Sequence, residues 1–322
     1  MPASQVRSAD YDTRFRQAAF AWLKARSPED RPVVSRQELS DFAFEGERIA
    51  LIDQNRGIRR PAMLRGAISL LTTYSPNEAA APYSDALGSD GLLRYKYRGT
   101  NPDQPDNRAA RLSRDERLPM IWFYGIAPGV YLATFPVYVV AEEIEAHQFV
   151  VAFDQPIVGD ASASASASAS AGAGAAAGVI SPLEREYRQR TAYQRVHQPV
   201  FRERVMYAYE QSCAMCRLHH TSLLDAAHIR RDKHPLGIPA VSNGMALCKI
   251  HHAAYDQNIL GVRPDLKVEV RLDILREFDG PMLRHGLQEM DGVGLTVPRV
   301  KANRPDREAV EERYEEFRAT NR

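Results

Sequence analysis

The chain has 322 residues, 44% hydrophobic and 26% charged, and its 42 Lys+Arg against 41 Asp+Glu leave a formal net charge of +1. That composition excludes a wholly disordered or membrane-embedded chain, and the balanced charge excludes a protein held to nucleic acid by its overall field. At roughly 100 to 200 residues per domain, the length suggests two domains.

The first residues, MPASQVRSADYDTRF, lack a basic stretch followed by an apolar one. No later run approaches the ~18 apolar residues of a bilayer span, so no membrane partner and a cytoplasmic location are expected. Asp10 to Arg26 places Phe15, Ala18, Ala19, Trp22 and Leu23 at helical spacing, and Gln37 to Ala43 reads as a second helix. Leu92–Arg98, Met120–Tyr124, Val130–Val139 and Phe149–Phe153 are short runs rich in β-branched and aromatic residues, punctuated by Gly and Pro, and read as strands. A mixed α/β, barrel-like domain over residues 1–158 follows.

Residues 161–178 contain only Ala, Ser and Gly and offer nothing large to bury. They mark residues 159–180 as a linker, with a flexible-chain span of about 20–25 Å. Beyond it, in residues 181–322, Leu183–Gln211 has helical features interrupted at Pro199. Leu223–Ile229 and Lys267–Leu272 read as strands, Cys248–Tyr255 as a helix start, and Asp306–Thr320 as a closing helix with Val310, Tyr314 and Phe317 on one side.

The chain has 3 cysteines, Cys213, Cys216 and Cys248, too few for an even disulfide framework. Cys213-Ala-Met-Cys216 and Cys248-Lys-Ile-His251 are two ligand pairs of equal spacing, which suits one tetrahedral zinc ion. His219 competes with His251 for the fourth position. A closed site of this kind is structural.

Between and after these pairs run LLDAAHIRRD and SNGMALCKIHHAAYD. Together they resemble the ββα-metal core of the HNH nuclease family, in particular its bacterial restriction endonucleases. In that family a strand His precedes a loop Asn, and a helix His follows nine positions later; here His228, Asn243 and His252 keep the order, with 243 + 9 = 252. The resemblance covers residues 195–256 and implies an α+β protein with a C-terminal ββα-metal HNH domain. It implies phosphodiester hydrolysis of double-stranded DNA, with Mg²⁺ or Mn²⁺ at the catalytic centre and Zn²⁺ in the Cys3His site.

A neutral imidazole has the pKa nearest working pH, which makes His228 the expected general base. Asn243 resembles the family residue that fastens the loop beside the base. His252 and Asp256 are four apart on one helical face and are expected to grip the catalytic cation. Ala227 stands where many relatives carry a third ligand, so Asp225, on the same strand face, is the expected substitute. Arg230 and Arg231 follow the base where cations meet phosphate oxygens, and further arginines, Arg202 and Arg204 among them, line the approach to Cys213.

A double-strand break needs two sites, so a homodimer is expected. A core this small reads little sequence, which assigns target choice to residues 1–158. Tyr95, Tyr97, Trp122, Tyr124 and Tyr131, with the polar segment Arg98–Arg108, suggest a stacking pocket for a modified base; filling a β core is the competing reading. The rival functions are an inactive zinc-stabilised DNA-binding or regulatory protein and an RNA or structure-specific nuclease.

Overall fold

The structure, a computed structural model, describes residues 7–26, 32–75, 86–88, 90, 92–153, 198–231 and 240–320. The Ala/Ser/Gly segment, the arginines between it and residue 198, Lys233 and His234 lie outside the described residues. The chain divides into two compact units, residues 1–196 and 197–322.

In the first unit, α1 (Ala9–Lys24) starts where the Ser8 side chain accepts from Tyr11 N at 3.3 Å, with Asp10 and Asp12 in its first turn. Phe15, Ala19 and Leu23 form its buried stripe. The strand β1 (Val33–Ser35) leads into α2 (Arg36–Ser40), which opens with a Ser35/Glu38 capping box and ends before Ala43, earlier than its sequence suggests. Ala43 instead begins a small hairpin, β2 (Ala43–Phe44) and β3 (Glu47–Arg48). Then follow β4 (Ile58–Arg59), β5 (Ser69–Thr72), β6 (Ala86–Leu87), β7 (Leu93–Lys96) and α3 (Pro105–Asp115). The unit's longest strands, β8 (Met120–Ala127) and β9 (Val130–Glu143), and β10 (Gln148–Ala152) complete it.

These strands form a curled sheet in the order β4-β5-β8-β9-β10-β7-β6, with β1 added to β9. Only β5 and β8 run parallel, and the path has two ends, so the ladder does not close into a barrel among the described residues. The curl comes from β9, which pairs with β8 through Val130–Val137 and with β10 through Tyr138–Glu143. Both faces of β8 are covered. Ile121 and Phe123 pack with α1, while Met120 and Trp122 pack with α3, Tyr95, Tyr97 and Phe149. This explains why Met120–Tyr124 is continuously apolar rather than alternating.

The expected stacking pocket is corrected here. Tyr95, Tyr97, Trp122 and Tyr131 are buried core residues, and Tyr124 is half-buried edge-on to Trp122. The segment expected to be a polar loop becomes helical at Pro105, and Asn107 ties its first half down through Arg98 N and the carbonyls of Arg98 and Asn101.

In the second unit, helical residues 198–208 (α4) include Pro199. Antiparallel β11 (Leu224–His228) and β12 (Gly244–Cys248) pair Leu224 with Cys248 and His228 with Gly244. The helix α5 (Lys249–Asp256) follows at once, then a hairpin of β13 (Leu260–Val262) and β14 (Val268–Val270). Short α6 (Leu272–Arg276) and α7 (Pro281–Gly286) precede α8 (Arg307–Thr320). The last buries Val310 and Phe317 and is seated on β13 by Gly261, where a Cβ would lie 2.5 Å from the Phe317 ring. Tyr314 is half-buried and donates to Glu269 at 2.6 Å. Among the described residues no helix is long and apolar enough to cross a membrane.

Candidate active site

The residues expected to ligate zinc are brought together by the β11–β12 pair. A turn after α4 presents Cys213 and Cys216, Ala214 N donates to Ala246 O at 2.7 Å, and Cys248 ends β12 so that His251 follows one turn into α5. One donor atom from each of Cys213, Cys216, Cys248 and His251 lies within 4.8 Å of all the others. Cys216 Sγ and Cys248 Sγ are 4.0 Å apart, and His251 Nδ1 is 3.5 Å from Cys213 Sγ and 3.2 Å from Cys248 Sγ. A tetrahedral zinc ion sets such atoms roughly 3.5–3.8 Å apart, so the cluster is assembled at nearly the right size.

Two further contacts fit the ion. Cys248 N donates to Cys213 Sγ at 3.3 Å. His251 Nε2 lies 2.8 Å from Gly286 O, and because a carbonyl only accepts, Nε2 carries the proton and Nδ1 offers its lone pair to the cluster. His219 is exposed and outside the group, so His251 is the fourth member. Without an ion the protons are shared unevenly. Hydrogen bonds from the Cys216 and Cys248 thiols pull the Cys213 thiol far down, and the same contacts push Cys216 up. Burial lowers the His251 pKa, but hydrogen bonds to Cys213 and Cys248 prevail and raise it to about 10.

The candidate catalytic groups come from β11, the turn before β12 and α5. His228 closes β11, half-buried, with Nε2 shut off from solvent. Asn243, 4% exposed, fastens the chain just beyond it: Oδ1 accepts from Arg230 N at 2.8 Å and Nδ2 donates to Arg230 O at 3.1 Å. Its own carbonyl accepts from Ile229 N at 2.9 Å.

His252 lies between two carboxylates. Its Nδ1 is 4.0 Å from Asp225 Oδ2 and its Nε2 is 3.3 Å from Asp256 Oδ2. One imidazole and two carboxylates are a donor set for a hard divalent cation, and all three reach the surface. An imidazole gives an ion only one nitrogen, so a shared ion requires one carboxylate to swing round. The zinc cluster is preassembled; this trio is gathered but not closed.

The arginines divide. Arg230 is held by α8, its Nε 2.6 Å from Glu312 and its Nη1 3.6 Å from Asp306, with little exposure. Arg231 is exposed beside the trio and donates to Asp256 O at 3.4 Å. Of the upstream arginines, Arg204 is buried and Arg202 lies 3.8 Å from Asp225 Oδ1. Arg202 also donates to Leu224 O at 3.1 Å, which anchors it over the start of β11. The sequence gives Arg202 no distinction from its neighbours; only the packing of α4 on β11 puts it beside a candidate ligand.

Residues 213–263 match the family described as HNH endonuclease. The matched span starts at Cys213 and ends just after β13, so the second unit contains an HNH endonuclease domain and the protein is a nuclease. No curated protein matches the chain. Among solved structures, the chain is similar to one titled "Modification dependent TagI restriction endonuclease", at 18% sequence identity and a TM-score of 0.27, over 81% of this chain and 85% of that one.

Proposed function

We propose that the protein is a metal-dependent DNA endonuclease of restriction type. The observation that carries this reading is the arrangement on β11: His228 at its end, with the backbone two residues on fastened by Asn243, and Asp225 of the same strand gathered with His252 and Asp256. In this reading His228 is the general base, taking the proton of the attacking water on its imidazole. His252, Asp256 and Asp225 would hold a Mg²⁺ or Mn²⁺ ion, which when bound supplies Lewis-acid charge to the scissile phosphate and the leaving oxygen. Asn243 keeps the backbone after the base from drifting. Arg231 meets phosphate oxygens near the trio, whereas Arg230 does so only by leaving Glu312. The Cys3His cluster holds Zn²⁺ as a structural ion.

The remaining parts follow from that chemistry. Residues 1–158 choose the DNA, including its modified bases, through loops and edges, since the aromatic side chains are spent on the core. Residues 159–180 tether this domain to the nuclease domain of 181–322. Two copies act as a homodimer in the cytoplasm to cut both strands of double-stranded DNA.

The test is cleavage of matched plasmids carrying unmodified, methylated or hydroxymethylated cytosine, with and without Mg²⁺ or Mn²⁺. Wild type and His228→Ala are run side by side. Cation-dependent cleavage by wild type alone is the expected result, and a preference among the plasmids assigns the choice of target. Equal cleavage by His228→Ala sinks the base assignment. Salt-sensitive DNA binding without cleavage of any plasmid sinks the nuclease reading.

A further inference from the structure

His228 is restrained a second time, from outside the matched HNH span. The ring of Phe201, on α4, lies face to face with the imidazole, with centroids 4.1 Å apart and planes 14° from parallel. Phe201 is only 2% exposed, and Val205, one turn on, is fully buried. What lets them in is Gly244, the register partner of His228. A Cβ there would lie 2.8 Å from Phe201 Cζ and 2.6 Å from Val205 Cγ2. The backbone at Gly244 is ordinary extended chain, so the glycine serves close approach rather than an unusual turn. The α4 helix thus settles on the strand pair where the candidate base leaves it.

The two restraints do different things. Asn243 fixes the backbone at Arg230, whereas the plane of the imidazole is set by the χ2 torsion, whose rotational freedom is broad for His. A flat ring against one face removes that freedom, and it does so without offering a hydrogen-bonding atom that would compete for a nitrogen lone pair. Proton transfer depends on holding the base within hydrogen-bond reach and direction of its water.

Resting on the reading of His228 as base, we propose that Phe201 is a positioning residue for this reaction. Its ring sets the plane of the His228 imidazole, so α4 is part of the active site although it precedes the family's core. Phe201→Leu keeps most of the apolar bulk and removes the flat face. Phe201→Met, also unringed, is made in parallel, and bound zinc with far-UV circular dichroism identifies which variants fold.

The experiment uses the full chain with zinc bound and ¹³C-labelled histidine, the His228 signal being assigned by its loss in His228→Ala. A ring stacked face to face shields the imidazole protons. The expected result is an upfield His228 signal in wild type that returns to the ordinary position in the folded variant, with kcat on plasmid DNA lower by about 10²-fold and KM unchanged. An unshifted His228 signal in wild type overturns the proposal. Undiminished kcat in a folded ring-free variant overturns the role of Phe201 alone. No cleavage by wild type overturns the nuclease reading, and the role of Phe201 falls with it.

Discussion

Asn243 and Arg230 meet through both backbone groups of the arginine, whose N–H is taken by Oδ1 at 2.8 Å and whose carbonyl is taken by Nδ2 at 3.1 Å. The side chain thus replaces the strand partner that the chain loses as it leaves β11. Asn243→Ala should cost about 2 kcal/mol of stability by stranding two partly buried backbone groups. It should also lower kcat about 10- to 100-fold, as expected for a group that orients another. Asn243→Asp keeps one bond and sets a carboxylate against the Arg230 carbonyl, so it should rescue little. Calorimetry and single-turnover cleavage check both variants.

Zinc uptake should expel protons. In the ion-free protein His251 is raised to about 10 and Cys216 is raised above its usual thiol range, so both are protonated at neutral pH. Zinc requires a neutral imidazole and thiolates, so binding at pH 7 releases these protons and affinity climbs as pH rises. Titration calorimetry in buffers of different ionisation enthalpy measures the release; a heat independent of buffer would contradict it. Stripping the ion should melt residues 197–322 while leaving the α1-backed sheet folded.

Gly244→Ala tests the seat of α4. The added methyl meets Val205 Cγ2 at 2.6 Å and Phe201 Cζ at 2.8 Å, too close for either to stay in place. Stability should fall by about 1–3 kcal/mol, and the circular dichroism of the sheet unit should be untouched. Because Phe201 must move, kcat should fall with it.

Glu142, in the first unit, has a side chain that is 4% exposed. Arg111 donates to it at 2.6 and 2.8 Å, Arg114 at 3.0 Å, and Tyr97 through its hydroxyl. Burial works against its charge, yet the Arg111 and Tyr97 hydrogen bonds prevail and hold its pKa below the usual glutamate range. A depressed carboxylate pKa stabilises the fold above the unfolded value and loses that contribution as pH falls through the folded one. Glu142→Gln should therefore cost about 2 kcal/mol at pH 7. The gap from wild type should close below pH of about 4. Denaturant melts across this range check it.

Arg230 and Arg231 should separate cleanly. Arg231→Ala should reduce the salt dependence of DNA binding by roughly one counterion, a slope change of about 0.9. Arg230→Ala should leave the slope alone and loosen α8, since Glu312 and Asp306 lose their partner. Binding isotherms at several salt concentrations distinguish the two.

The Cys3His cluster was legible in the sequence because ligand spacing is local and three cysteines leave few alternatives. The order of His228, Asn243 and His252 was legible for the same reason. Phe201 and Arg202 were not, because their positions depend on a side chain missing at Gly244, far along the chain. In the first unit the strands from Met120 onward show in composition. The parallel pairing of Ser69–Thr72 with Ile121–Tyr124 does not, since it joins segments separated by a helix and several strands. Helix α3 hides behind its polar residues; Pro105 at its first position was the one local sign. The fate of Tyr95 and Trp122 turned on whether a second layer covers the sheet, and no single segment records that.

His251 and His252 are neighbours in one turn of α5, and each serves a different cluster. An α-helix rotates by about 100° per residue, which is what sends the two rings to opposite duties. The stretch from Cys248 to Asp256 therefore has a fixed length. One residue inserted after Cys248 would put Ile250 where His251 meets the cysteines and carry Asp256 away from Asp225. Alignments of related chains should show free substitution at Lys249 and Ile250, and no gaps.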